Sequence, residues 1–344
     1  MKWLGFDRLS GVYLWIAFII VFGILRPDTF LTSTTLHSVA SQQAIAGLIA
    51  IAILIPLVCG HFDLSVGYNA NLCGIVAVVM QDHHGWNVAE AVLFGVLIGL
   101  LIGAANGFVV VILKVNSFIA TLGMGTILSA ALVIVTNSEQ PPPVNGSAYG
   151  NLTQNQVLGF QIVILYLLAI GVLAWWFLEH TPAGRYIRAT GSNPDAARLS
   201  GVRVDRWSVI SLMAAGGLAG LGGVFYTSAT GPSLSFGPTL LLPAFAAAFL
   251  GSTQFFPGRF NVWGTLLAIY VLATGVKGMQ LVSGQQWLND MFNGVALIVA
   301  VTIAEYRQRR VKGDSLLARR RRTRAAAREE MGPPSSDDRK AVTA

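Results

Sequence analysis

Charge is scarce in this sequence. Charged residues fill 11% of the 344 positions and hydrophobic ones 54%, whereas a soluble domain carries about 25% charged residues. That balance excludes an ordinary water-soluble globular fold. Cysteine is nearly absent. Cys59 and Cys73 both lie in or beside apolar runs, and they read as buried small hydrophobes rather than a disulfide framework or zinc site. Catalytic signatures are missing too. There is no phosphate-cradling Gly-rich loop ending in Lys-Ser or Lys-Thr, no His-Glu-x-x-His helix and no Ser–His–Asp set, and the histidines at 37, 61, 83, 84 and 180 are scattered. An enzyme and a metal centre are therefore not expected; the adjacent His83 and His84 read as part of a solvated loop. No inverted internal repeat is evident, which weighs against an ion-coupled secondary transporter working alone. That alternative stays open at this point.

Long apolar runs fill the chain instead, at 11–25, 40–58, 64–80, 89–113, 117–136, 157–178, 207–229, 239–256, 261–281 and 288–304. Runs of about this length span a bilayer as helices. The reading is an all-α, polytopic transmembrane helical bundle with about ten spans and both termini cytoplasmic. Lys2 and Arg8 precede the first run, but no small-x-small cleavage site follows before Arg26 and Pro27, so that run is kept as a permanent span. With both termini inside, only Arg26 and Lys277 fall outside, leaving 21 of the 23 Lys and Arg residues on the cytoplasmic side. This satisfies the positive-inside rule, and the opposite orientation violates it. The net charge of +7 sits in loops and tail where topology puts it, so it does not imply nucleic acid. A permease-like membrane domain is read over 1–306. A basic tail over 307–344, with Arg319 to Arg322 consecutive, is expected to be disordered and to reinforce orientation, with attraction to anionic membrane lipid as a second role.

One polar interval, 179–206, breaks the pattern. It reads EHTPAGRYIRATGSNPDAARLSGVRVDR and carries a full set of signals for one short helix. Asn193 suits the cap and Pro194 the first helical position. Asp195 and Arg198 complement the two ends of the dipole, and Gly201 permits the left-handed stop. A helix this short is far below the ~12–15 residues that are marginally stable alone. It is therefore read as a docking element held by its own protein or by a partner.

Elsewhere, Gly95, Gly99 and Gly103 recur every fourth residue on one helical face, which lets helix backbones approach closely in lipid. The polar stretch 31–43 and the proline-bearing interval 137–156 are read as external, the first as a surface loop or partly embedded stretch and the second as the longest loop. Lys277 and Asp290 bracket the last external turn. A mutual ion pair and two separately water-solvated interface residues are weighed equally for them.

Four stretches together resemble the membrane subunit of bacterial ATP-binding-cassette importers for sugars, the ribose/xylose/galactoside permease family. They are Gly60-His-Phe-Asp-Leu-Ser-Val-Gly67, Asn116-Ser-Phe-Ile-Ala-Thr-Leu-Gly123, the segment Gly184 to Gly201, and Leu250-Gly-Ser-Thr through Pro257 to Thr265. His61, Asn116-Ser117, Ser252 and Pro257 depart from the family pattern, and the acidic residue common upstream of the fourth stretch is absent. The resemblance implies a permease that dimerises, as a homo- or heterodimer, around a translocation pathway in the bacterial inner membrane. It implies two cytoplasmic ATPase subunits that bind and hydrolyse the ATP, an extracytoplasmic solute-binding protein, and no cofactor on this chain. A small polar solute is the expected cargo, a monosaccharide first, with nucleosides and other small polar solutes left open. It also gives 179–206 the role of an ATPase-coupling segment, with Gly184, Asn193, Asp195, Ala196, Ala197, Arg198, Leu199 and Gly201 as its candidate residues. Gly60, Asp63, Ser65 and Gly67 belong to a motif that interrupts a membrane helix in the family. There the Asp63 carboxylate is read as structural, satisfying amides at the break.

Overall fold

A computed structural model describes residues 6–144, 147–157, 159–285, 287–304 and 306. The chain runs through α1 (Phe6–Leu25), a single turn α2 (Pro27–Phe30), α3 (Ser33–Val58), α4 (Val66–His84) and α5 (Val88–Gly107). A π-helical turn at Phe108–Ile112 extends α5, and α6 (Ser117–Thr136) and α7 (Ser147–Gln154) follow. Then come α8 (Val163–His180), α9 (Pro182–Ser192), α10 (Pro194–Leu199), α11 (Val204–Thr230), α12 (Phe236–Gly251), α13 (Val262–Ser283) and α14 (Trp287–Ala304). The only strands among the described residues are β1 (Gln156–Val157) and β2 (Phe160–Gln161), an antiparallel pair with Gln156 opposite Gln161. The expected all-α bundle is observed. The tail read over 307–344 lies outside the described residues.

Each apolar run falls mainly on a helix, but the run read over 157–178 opens in the β1–β2 hairpin and is helical only from Val163. Seven helices among the described residues are long and apolar enough to cross a membrane: α3, α5 with its π-helical turn, α6, α8, α11, α13 and α14. The first run (Leu9–Leu25) and α12 are shorter apolar helices, and α4, which carries Asn69, Asn71 and Gln81, is not among the seven.

α3 is the centre of the bundle. From Ala44 to Val58 it is apolar on all sides and buried without a break, as a helix segment hydrophobic all round must be, while its first three turns are polar. α8, α11, α12 and α13 pack around it. Against it, α11 presents a Gly-rich face that meets α5 backbone to backbone. A Cβ on Gly103 would lie 2.8 Å from Met213 Cα, and one on Gly99 would lie 3.2 Å from Gly220 Cα. The four-residue glycine spacing is thus a close helix contact. Asn69 reaches into the same seam, donating from Nδ2 to Gly216 O at 3.3 Å.

Two stretches read as loops are more ordered than the sequence suggests. The stretch 31–43 is helical from Ser33, because Thr32 caps it by accepting from Thr35 N at 3.2 Å. Within 137–156, α7 forms and is anchored on α11, where Tyr149 Oη lies 2.6 Å from Thr227 Oγ1 and Thr153 Oγ1 lies 2.7 Å from Ser228 Oγ. Hydroxyls on α11 supply these anchors, and nothing local to the loop marks them.

Candidate functional site

The polar interval holds two helices where the sequence indicates one. α9 is started by Thr181, whose Oγ1 accepts from Gly184 N at 3.1 Å, with Pro182 in the first turn. The same two signals open α10, where Asn193 Oδ1 accepts from Ala196 N at 3.1 Å ahead of Pro194. α10 stops at Ser200, and Gly201 takes φ = +82°, a conformation glycine adopts without penalty. Asp195 and Arg198 lie at opposite ends of the helix. Arg198 also reaches Asp205 of α11 at 2.9 Å, an exposed pair that pins α10 loosely.

The two faces of α10 differ sharply. Ala197 is buried, Ala196 is exposed, and the Leu199 side chain stands 91% exposed at the helix end. Two glycines hold the platform beneath. A Cβ on Gly184 would collide with the carbonyls of Phe177 and Leu178, and one on Gly191 would collide with Val58 O. The end of α9 therefore rests directly on the end of α3.

A charged cluster fixes the other side of α9. Arg188 pairs with Glu179 and donates to Phe260 O at 3.2 Å, while Arg259 stands 3.7 Å from Glu179. Burial lowers the Arg188 pKa while Glu179 opposes that shift, so the guanidinium stays a cation held by its partner. The cluster ties α8, α9 and the α12–α13 turn together. The sequence reading missed Arg188, because nine residues separate it from Glu179 and no helical spacing announces the pair. Thr181-Pro182 carries the same local helix-start signal as Asn193-Pro194.

Residues 59–65 form the break between α3 and α4. Gly60 takes φ = +89°. Asp63, almost fully buried, accepts at Oδ1 from Ser65 N (3.0 Å) and Ser65 Oγ (2.6 Å). Asn106 Nδ2 donates to Ser65 Oγ at 2.7 Å, closing a buried knot. Gly67 packs against the backbone of Gly237, where a Cβ would collide with Gly237 O. The second resembling stretch then completes the first: Ser117 Oγ accepts from Phe62 N at 3.1 Å and Thr121 Oγ1 from Leu64 N at 3.0 Å. Ser117, a departure from the family pattern, thus takes up one of the amides that the helix break leaves over. His61, another departure, sits 2.9 Å through Nε2 from Ser208 Oγ of α11, and burial holds its imidazole below the ordinary value. The fourth stretch folds as a tight turn in which Asn261 Nδ2 donates to Gly251 O and Gln254 O, both at 3.1 Å, and Gln254 Oε1 accepts from Gly11 N at 2.7 Å.

The α3–α4 break, α10 and the start of α11 surround a cavity of about 720 Å³, lined by His61, Lys114, Arg198 and Asp205 among others. Sequence-predicted residues of two separate stretches, Gly60 and Arg198, meet around it. Lys277 and Asp290 do not meet: no ion pair joins them among the described residues, with Lys277 half-buried on α13 and Asp290 exposed on α14.

The described residues thus form a helical bundle with seven helices long and apolar enough to cross a membrane, carrying a short capped helix on a braced platform at one end. The chain belongs to the family described as branched-chain amino acid transport system / permease component, which matches residues 35–301. It is 29% identical over 299 residues to the ribose import permease protein of Escherichia coli (strain K12), covering 84% of this chain and 91% of that one. It is 27% identical over 298 residues to the fructose import permease protein of Rhizobium meliloti, covering 84% and 82%. It is 28% identical over 302 residues to the autoinducer 2 import system permease protein of Salmonella choleraesuis, covering 87% and 86%. No solved structure matches the chain. The resemblance to importer permeases read from four short stretches therefore extends along most of the chain, which is a membrane permease subunit.

Proposed function

We propose that this chain forms the translocation pathway of an ATP-binding-cassette importer for a monosaccharide, in the bacterial inner membrane, as one of two permease subunits. Two cytoplasmic ATPase subunits supply the energy and an extracytoplasmic binding protein delivers the solute. The family description speaks of branched-chain amino acids, while the similar chains are named for ribose, fructose, allose and autoinducer 2. The cargo reading follows the named relatives, whose similarity runs along most of the chain. In this reading all ten apolar helices span the bilayer, with both termini in the cytoplasm, and residues 1–306 act as one permease domain with the basic tail beyond.

The observation that carries the coupling role is Leu199: a large apolar side chain, 91% exposed, on a helix too short to stand alone. A groove on an ATPase subunit would cover it. Gly184, Asn193 and Gly201 shape the element, Ala197 seats it, and Asp195, Ala196, Arg198 and Leu199 face outward. Asp63, Ser65, Gly60 and Gly67 are structural in this reading: they satisfy and pack the helix break rather than touch solute.

Affinity purification of the chain in mild detergent tests the reading. An ATP-binding-cassette subunit should copurify, and Asp195→Ala with Arg198→Ala should reduce solute-stimulated ATP hydrolysis while the protein still inserts in membranes. Solute uptake by the purified chain alone, driven by an ion gradient, would replace this reading with the ion-coupled carrier.

A further inference from the structure

At the end of the bundle away from α10, a second cavity of about 570 Å³ opens between α3, the β1–β2 pair, α11 and α12. The volume lies within the ~300–1,000 Å³ of small-molecule sites. About 26 Å of α3, from Ser41 to Val58 at 1.5 Å per residue, separates it from the α3–α4 break.

Its lining is unusual for a helical membrane protein. Four carboxamides, Gln42, Gln43, Gln156 and Gln161, surround it together with His37 and Ser41, and among the described residues no Asp, Glu, Lys or Arg does. None of these six side chains makes a hydrogen bond within the chain among the described residues. Where the Asn side chains at 69, 71 and 106 tie helices together through their carboxamides, the four Gln side chains hold nothing together. Gln156 and Gln161 face one another as a register pair of the hairpin, and Tyr226, stacked on Phe236 with centroids 3.8 Å apart, adds a firmly held aromatic wall.

We infer that this cavity is a solute-contacting station on the transport route, built for a neutral polyhydroxylated molecule. Each carboxamide offers both donors and an acceptor, matching hydroxyls that also do both, and the absence of charge disfavours ionised solutes such as amino acids. This rests on the sugar-importer reading above and adds where in the chain the sugar is met.

The test uses the complex that copurifies with the full chain, reconstituted in liposomes, with radiolabelled D-ribose, D-fructose and D-allose as probes. For whichever sugar the wild type imports, Gln43→Ala and Gln161→Ala should raise KM about tenfold, equivalent to about 1.4 kcal/mol. Maximal rate, basal ATP hydrolysis and recovery of partner subunits should stay unchanged. In Gln43→Cys, the transported sugar should slow labelling by a membrane-impermeant maleimide, against a low background because Cys59 and Cys73 are buried. An unchanged KM with unprotected labelling would overturn the station while leaving the importer intact. A raised KM explained by lost capture of the binding protein would overturn it too, making the cavity a docking face. If the wild type imports no monosaccharide, neither these three nor a wider pentose and hexose panel, the cargo reading itself fails, and this inference with it.

Discussion

Gly60 and Gly191 meet across the junction of α3 and α9: a Cβ on Gly60 would lie tightly, 3.3 Å from Gly191 Cα, and one on Gly191 would lie 3.0 Å from Gly60 N and collide with Val58 O. This contact joins the helix break of the permease core to the platform that carries α10.

Gly191→Ala should therefore lift α9 away from α3. Overpacking of this kind costs about 1–3 kcal/mol, and coupling should suffer more than folding. The expected outcome is membrane insertion with reduced solute-stimulated ATP hydrolysis. Wild-type coupling in Gly191→Ala and in the bulkier Gly191→Leu would show that the contact transmits nothing.

Asn193→Ala removes the cap of α10 and should cost about 1 kcal/mol of local helix stability. Asn193→Asp should restore it, because a carboxylate caps equally well. Hydrogen exchange at the amides of Ala196 and Ala197 reads the effect directly. Equal exchange in all three proteins would mean that the cap contributes nothing and that a partner alone orders the helix.

Leu199→Asp tests the exposed face without touching the bundle. Since the side chain is 91% exposed, thermal stability of the isolated chain should stay within about 0.5 kcal/mol of wild type. Recovery of the ATPase subunit should fall about tenfold or more, the loss of about 1.4 kcal/mol of binding. Undiminished recovery would place the docking surface elsewhere on the interval 179–206.

His61 gives a pH signature. Burial holds its folded pKa below the ordinary 6.5, so below that value the unfolded chain binds the proton more readily than the folded one. The stability this group contributes is complete above pH 6.5 and is lost as pH falls toward the folded value. Thermal unfolding in detergent at about pH 7.5 and about pH 5.5 should show a smaller drop for His61→Gln than for wild type. Identical drops would mean that His61 is not part of the acid sensitivity.

Much of the site was legible because it is local. A cap, a first-turn proline and a left-handed glycine act within one helical turn, so Asn193, Pro194 and Gly201 announce α10, and Thr181-Pro182 announces α9 in the same terms. Asp63 likewise satisfies Ser65, two residues away. The class was legible for a related reason: in lipid the backbone is satisfied only in helices or closed barrels, and continuous apolar runs of this length, not alternating short ones, select helices.

Tertiary structure alone decided what meets what. Ser117 and Thr121 reach the amides of Phe62 and Leu64 from another helix. Arg188 finds Glu179 and the Phe260 carbonyl, and α7 forms on hydroxyls of α11. Four glutamines collect around one cavity from α3 and the hairpin. These contacts depend on how helices cross, and crossing is set by the shapes of whole faces, such as the glycine seam of α5 and α11. A pattern read along one strand of sequence carries the local hydrogen bonds but not that geometry.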